Sequence, residues 1–219
     1  MNIIARFRSP LKEKFGLPRQ AGLSAHLKGT VVLEEGFRRP EALKGLEGFD
    51  YIWLIWGFHL NPERTDNSLT VRPPRLGGNA TMGVFATRSP FRPNPLGLSS
   101  VKVEYIDKDK GTILVSGADL ADGTPIYDIK PYIAYTDSHP DAKSGFVSEN
   151  KWDTLEVHIP SEISQKLGSD RTEALKEILA QDPRPRYQDD PSRNYGVLFD
   201  GLDIHFRVED RDLFVTEAV

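Results

Sequence analysis

The chain contains no cysteine. That absence removes disulfides, thiolate metal sites, the cysteine cluster a radical cofactor needs, and any cysteine nucleophile. Long apolar runs are missing as well, since none reaches the roughly 18 residues of a membrane helix. The opening Met1-Asn2-Ile3-Ile4-Ala5-Arg6 lacks the apolar centre and small-residue cleavage site of a signal peptide, so a cytoplasmic location with no membrane partner is expected. No Gly-x-Gly-x-x-Gly follows a predicted strand, and with it goes the usual nucleotide-binding fingerprint. The five histidines, at 26, 59, 139, 158 and 205, show no ligand spacing, and no metal is expected. Basic residues are not in excess either: 28 Lys and Arg stand against 32 Asp and Glu, a net charge of -4.

Against that acidic balance, residues 71 to 97 carry four arginines, Arg72, Arg75, Arg88 and Arg92, and no acidic residue. Pro90, Pro93 and Pro95 fix φ and remove donors around the last two. Arg88 and Arg92 therefore put fixed positive charge on a stiff loop, which suits the holding of an anionic group in one geometry. A local basic patch suggests contact with phosphate or nucleic acid without requiring a basic protein. A solvated basic face is the plain alternative.

At 219 residues there is room for one domain of about 140 residues and a smaller one, each with a core of its own. β-Branched and aromatic runs at 31–33, 51–58, 83–86, 101–106, 112–115 and 126–129 read as strands, and 107–111 as the turn of a hairpin. The short spacing of turn residues favours an antiparallel barrel or closed sheet over a doubly wound fold. From Thr136 to Asn150 the chain turns polar and is read as a linker. Beyond it, Leu155, Val157 and Ile159 alternate as a strand, 161–167 reads as a short helix ending at Gly168, and Asp170 with Glu173 as a capping pair opening a helix through Leu179. Strands are expected again at 195–199, 202–208 and 213–216. The fold class is mainly β: a small antiparallel barrel over residues 1–135, a linker, and a smaller α/β domain over 151–219.

Five blocks in the chain's order carry a resemblance. They are the opening stretch, Lys12-Glu13-Lys14-Phe15 with Pro18-Arg19-Gln20, Arg72-Pro73-Pro74-Arg75-Leu76-Gly77-Gly78-Asn79, Asp122-Gly123-Thr124-Pro125 running into Asp128-Ile129-Lys130-Pro131-Tyr132, and Gln181-Asp182-Pro183-Arg184-Pro185. With the central Met82–Ser99 stretch, they span nearly the full length. The sequence resembles the TrmO family of S-adenosylmethionine-dependent tRNA methyltransferases. The resemblance implies a β-barrel carrying the S-adenosyl-L-methionine site, a homodimer, and methyl transfer to N6 of N6-threonylcarbamoyladenosine at position 37 beside the tRNA anticodon. It further implies a cofactor pocket lined by Pro18, Arg19, Gln20, His59, Leu60, Arg88, Leu98, Ala121, Asp122, Gly123 and Thr124, with Asp122 available to ribose hydroxyls or the amino group. On spacing alone the Asp-Gly-Thr-Pro block is an ordinary turn, and His59 a histidine at a strand end.

An acceptor nitrogen in a urea-like group is a poor nucleophile, so catalysis requires in-line placement of the methyl and an acceptor for the nitrogen's proton. Asp128 is the first candidate for that acceptor and Asp119 the second. No motif decides between them, and either carboxylate could simply pair a lysine or cap a turn. Arg72, Arg75, Arg92 and Lys130, with Arg184, Arg186 and Tyr187 in the C-terminal region, are expected to hold the tRNA anticodon loop through phosphates and base stacking. Internal pairing of Arg184 and Arg186 with Asp182, Asp189 and Asp190 is the competing expectation. Asn94-Pro95-Leu96 only partly imitates the Asn-Pro-Pro-aromatic turn of other N6-adenine methyltransferases and is set aside, while Trp53 and Trp56 read as core. A non-catalytic module that binds the same cofactor or RNA is the alternative from a different class, as is a methyltransferase for another acceptor.

Overall fold

The computed structural model describes residues 1–62, 68–77, 80–150, 153–184, 190 and 192–219. Arg186 and Tyr187, expected to touch tRNA, lie outside the described residues. Six strands close into a barrel: β1 (Ala5–Arg8), β2 (Lys28–Leu33), β3 (Tyr51–Gly57), β6 (Leu96–Asp107), β7 (Thr112–Ser116) and β8 (Pro125–Pro131), in the order β1-β2-β7-β6-β3-β8. Every pairing around it is antiparallel. Between β3 and β6, a two-stranded ribbon joins β4 (Thr70–Val71) to β5 (Met82–Gly83). Closure leaves the six strands without free edges and turns alternate side chains inward. Phe7, Val31, Ile52, Leu54, Val101, Ile113, Val115 and Ile126 fill the interior, each at most 1% exposed.

The C-terminal part is a four-stranded sheet, β10 (Tyr195–Phe199), β11 (Leu202–Glu209), β12 (Asp212–Ala218) and β9 (Glu156–His158), in which β9 lies parallel to β12. Helices α3 (Ser161–Leu167) and α4 (Ser169–Ala180) accompany it, and α4 presents Ala174, Leu175, Ile178 and Leu179 to its core. Residues read as a linker hold two short helices, α1 (Ala134–Asp137) and α2 (Phe146–Glu149).

Two local expectations are corrected. Residues 83–86 do not form a strand: β5 stops at Gly83 and Val84–Ala86 is a single 3-10 turn, because only Val84 of that run finds a buried place. Asp170 does not cap α4 either. The N-cap is Gly168 with no side-chain cap, and the Asp170 carboxylate instead receives Lys28 Nζ of β2 at 2.7 Å.

The loop between β1 and β2 belongs to both units. Leu11 and Leu27, although flanked by barrel strands, are 0% and 3% exposed and lie in the C-terminal core, with Phe15 and Leu17 packed beside them. Leu11 bridges Phe199 of β10, and Asp200 donates its N–H to Pro10 O at 3.0 Å. Full burial of a leucine contributes about 1.5–3 kcal/mol, and truncation adds the cost of the cavity left behind. Leu11→Ala is therefore expected to lower stability by about 2–5 kcal/mol in urea denaturation; a change under about 0.5 kcal/mol would show that the loop is not part of the C-terminal core.

Candidate active site

At the barrel mouth the β1–β2 loop and the β7–β8 loop are clasped by backbone hydrogen bonds. Gly22 N–H donates to Gly117 O (2.8 Å), Gly117 N–H to Leu27 O (3.0 Å), Asp122 N–H to Leu11 O (2.8 Å) and Gly123 N–H to Phe7 O (2.8 Å). The turn Ala121–Thr124 is closed by Thr124 N–H to Ala121 O (3.3 Å) and Thr124 Oγ1 to the same oxygen (2.8 Å). Gly123 sits at φ +79°, a left-handed conformation that a side chain would strain, so this turn requires glycine there. The clasp forms one wall of a cavity of about 700 Å³. The Pro-rich loop forms another, anchored by Phe58 N–H donating to Pro95 O (3.1 Å) and by Arg92 Nη1 donating to Thr87 O (3.1 Å).

Most of the expected cofactor residues meet here. Pro18, Arg19, Gln20, His59, Leu60, Arg88, Leu98, Ala121 and Thr124 line the cavity, as do Asp119 and Arg92. Arg88 Nη1 donates to Gln20 Oε1, joining the Pro-rich loop to the β1–β2 loop across the opening. Asp122 and Gly123 stand behind the lining: the Asp122 carboxylate accepts Ser9 N–H at 3.1 Å and pairs with Arg8 at 3.7 Å, so it braces the turn.

The two candidate proton acceptors part company. Asp128 does not line the cavity. It faces out of the barrel opposite Ile55, with Lys130 at 3.0 Å on the same face two residues on. Asp119 lies on the cavity floor, deep in the protein but open to the cavity. Its Oδ1 accepts Ser99 Oγ–H at 2.5 Å, and Ser99 Oγ in turn accepts Trp56 Nε1–H at 2.9 Å. Burial raises the Asp119 carboxyl above its ordinary range, opposed by the Ser99 hydroxyl, by backbone N–H groups and by the Arg88 charge. His59 moves the other way, down from 6.5, because desolvation disfavours its charged form and outweighs the Asp122 backbone contact.

Sequence reading missed Trp56, Phe58 and Ser99. Trp56 is core, 6% exposed, yet it reaches the cavity, with Phe58 against it edge-on at 4.4 Å. Ser99 was hidden because the strand was expected to start at Val101, whereas β6 begins at Leu96. Continued back from Val101, the inward alternation passes through Ser99 and Gly97, and a hydroxyl on an inward face is the available signal. Trp53 faces outward and donates to Asp137 Oδ2 at 2.9 Å.

Of the residues expected to hold RNA, Arg72 is exposed on the ribbon side. Arg75 Nη1 reaches Val147 O at 2.9 Å. Arg184 forks onto Asp182 through Nε (2.9 Å) and Nη2 (3.1 Å), with a side chain only 10% exposed, and Arg19 Nη2 donates to Asp182 O at 3.1 Å. Arg184 thus braces the segment that abuts the cavity wall. Among the described residues one group has donor atoms close enough to share an ion, Glu156, His158 and Asp212 on the C-terminal sheet, within 4.8 Å of one another. It lies on the outside of that sheet, and His158 Nε2 is already 2.7 Å from Asp212 Oδ1.

Comparison with known proteins agrees with this geometry. The tRNA-methyltransferase O N-terminal domain profile matches residues 6–138, and the TrmO C-terminal domain profile matches residues 153–219. The chain belongs to the TrmO family. It is 40% identical to a tRNA (adenine(37)-N6)-methyltransferase of Escherichia coli K12, over 94% of this chain and 92% of that protein. To a putative S-adenosylmethionine-dependent methyltransferase of Pseudomonas aeruginosa it is 42% identical, over 96% and 93%. A crystal structure of TrmO from Pseudomonas aeruginosa superposes with a TM-score of 0.81 at 33% identity, over 100% of this chain and 96% of that one.

The opposite environments of two histidines give a titration test. His26 Nδ1 lies 2.7 Å from Glu177 Oε1, and that hydrogen bond raises its pKa above 6.5. Its pairing with α4 is therefore complete at acid pH and lost as pH rises through the raised value. In ring-proton NMR, His26 is expected to titrate above 6.5 and His59 below it. A reversed order would mean that the β1–β2 loop does not rest on α4.

Proposed function

We propose that this chain is an S-adenosylmethionine-dependent tRNA methyltransferase that methylates N6 of N6-threonylcarbamoyladenosine at position 37, next to the anticodon. Family membership supports the reading, as do relatives named for that reaction. The observation that carries it is Asp119: a half-buried carboxylate in the lining of a cavity that also presents aromatic and cationic side chains. A cavity of about 700 Å³ falls within the range of small-molecule sites, roughly 300–1,000 Å³.

The residues present fit the methyl donor. Trp56 and Phe58 offer apolar surface for a purine, Arg88 and Gln20 polar groups for a carboxylate, and Asp119 an anionic partner for a cation. When bound, S-adenosylmethionine supplies a methyl group on a positively charged sulfur. The chain's own tasks are then to orient the acceptor nitrogen in line with that methyl, to exclude water, and to take the nitrogen's proton. Asp119 suits the last task because burial raises its carboxyl above the ordinary aspartate range, which makes the ionised form a stronger base. Asp128, outside the barrel and paired with Lys130, is read as structural.

Arg72, Arg75, Arg92 and Lys130 form the barrel's contribution to tRNA docking, with Arg92 reaching into the cavity rim. Arg184 supports the adjacent segment from within. Radiolabelled methyl should pass from S-adenosylmethionine to threonylcarbamoylated tRNA with this protein alone, and cofactor binding without transfer would favour a non-catalytic module. In the same assay Arg88→Ala should raise KM for the cofactor about tenfold, roughly 1.4 kcal/mol. Arg72→Ala should raise KM for tRNA and reduce its logarithmic salt slope by about 0.7–0.9 for each phosphate no longer neutralised. Exchange of these two effects would reverse the assignment of the two arginines.

The exposed apolar side chains near the cavity, Phe85 (73% exposed), Leu98 (57%) and Leu60 (37%), support a homodimer in which a second copy covers the rim. Light scattering at micromolar concentration should give twice the chain mass, and Leu98→Glu should halve it. A monomer before the substitution rules the dimer out.

A further inference from the structure

We infer that Trp56, Ser99 and Asp119 form a one-way hydrogen-bond relay in which Trp56 and Ser99 are positioning residues that orient the Asp119 carboxylate and favour its ionised, proton-accepting form. The inference rests on the reading of Asp119 as the acceptor. Its direction follows from donor chemistry. An indole N–H can only donate, so Ser99 Oγ must accept it, at 2.9 Å. The hydroxyl has one proton, and its other partner is Asp119 Oδ1 at 2.5 Å. That proton therefore points at Oδ1 and fixes the orientation of the carboxylate, whose remaining lone pairs are available to an arriving proton.

Three elements hold the relay in register. Trp56 stands on β3, Ser99 on β6 opposite Leu54, and Asp119 on the loop after β7. Ser99 is 1% exposed, so bulk water does not exchange for either partner. The indole reaches Ser99 by lying across Gly97, the residue opposite Trp56: a Cβ at position 97 would sit 2.2 Å from the indole Cε2. No left-handed backbone is involved at Gly97, so its demand for glycine is steric and comes from the ring. Phe58 packs edge-on against the same ring.

The chemistry balances. The sulfur–methyl bond breaks and a nitrogen–methyl bond forms; the N6–H bond breaks and its proton goes to the Asp119 carboxylate. The sulfonium becomes a neutral thioether as the carboxylate becomes a neutral acid. The charged or titratable groups around the cavity are Lys14, Arg19, His59, Arg88 and Arg92, and the Arg88 charge acts on Asp119 in the same sense as the Ser99 hydroxyl, favouring the ionised form. Without Ser99, Asp119 holds its proton more tightly and is less often ready to accept another.

The test uses the full chain. Of its three tryptophans, the indole N–H signal of Trp56, assigned by Trp56→Phe in nitrogen-edited NMR, should shift with pH in the cofactor-free protein. Its midpoint should lie above the ordinary aspartate range, near 3.9. In Ser99→Ala that shift should vanish, kcat should fall about tenfold with KM for both substrates within twofold, and the acid limb of the pH–rate profile should move to higher pH. Ser99→Thr should restore all three. Gly97→Ala, which removes no polar group, should reproduce the fall in kcat and the shifted acid limb by displacing the ring, with KM for the cofactor rising as well because the ring borders the cavity. Should Ser99→Ala fail to fold, the same kcat and pH-profile changes are expected in Trp56→Phe and Gly97→Ala. Asp119→Asn should lose at least 100-fold in kcat; full activity there would sink the acceptor reading. An inactive Asp119→Asn beside unaltered kcat and pH profile in the Ser99 and Gly97 variants would overturn the relay and leave the acceptor standing.

Discussion

The burial of Leu11 and Leu27 in the C-terminal core is the constraint on which the site depends. A loop of some 19 residues between two barrel strands would by itself sample many conformations, and ordering it costs roughly 1–2 kcal/mol per residue in backbone entropy. Two leucines, packed with Phe15 and Leu17 against β10, β11 and α4, supply the apolar burial that offsets part of this. Once the loop is fixed at both ends, its middle, Pro18–Gln20, becomes a wall of the cavity, and its backbone clasps the β7–β8 loop from which Asp119 projects. Among the described residues, the C-terminal unit thus shapes the site without lining it. Exposed pairs such as Lys28 with Asp170 add little to this, because solvent screens them.

Sequence periodicity was enough for five of the six barrel strands and for most of the C-terminal sheet, because inward and outward positions alternate on a closed sheet and turn residues mark its corners, but the short β1, Ala5–Arg8, escaped it. It failed where a residue's partner is distant in the chain. Asp170 with Glu173 looked like a cap, and only the neighbouring strand reveals Lys28 as the carboxylate's partner. The apolar 83–86 run looked like a strand, but after one further bond from Val84 N–H to Leu69 O (2.8 Å) it closes into a 3-10 turn. Nine of the eleven cofactor residues implied by the resemblance line the cavity, yet it could not rank Asp119 against Asp128, since rank depends on which way each side chain faces.

That facing is set by a single irregularity. Between Ile55 and Trp56 the β3–β8 register slips, so that Asp128 stands opposite Ile55 while Ile126 stands opposite Trp56, with Tyr127 as the extra residue. A bulge of this kind changes which residues of a strand face in. Leu54 with Ile129 inside and Ile55 with Asp128 outside follow on one side of the slip, Trp56 with Ile126 inside on the other. Asp128 is left next to Lys130, where its charge is neutralised in solvent, and the carboxylate that meets the cavity is the one delivered by a loop.

A carboxylate in that position is costly to the fold in a way that serves the site. Burial raises the Asp119 pKa, so over the interval between its unfolded and folded values the native state binds more protons than the unfolded chain. The stability present below the unfolded value is lost as pH rises through the folded value. Where Asp119 is ionised, its charge is only partly compensated by its surroundings, through the Ser99 hydroxyl, backbone N–H groups and the Arg88 charge. A cation entering the cavity supplies the missing compensation, and part of its binding energy is the relief of that penalty. On the proposed reading, the same uncompensated charge that weakens the empty barrel would favour a sulfonium over a neutral thioether in the site, and so the methyl donor over its demethylated product.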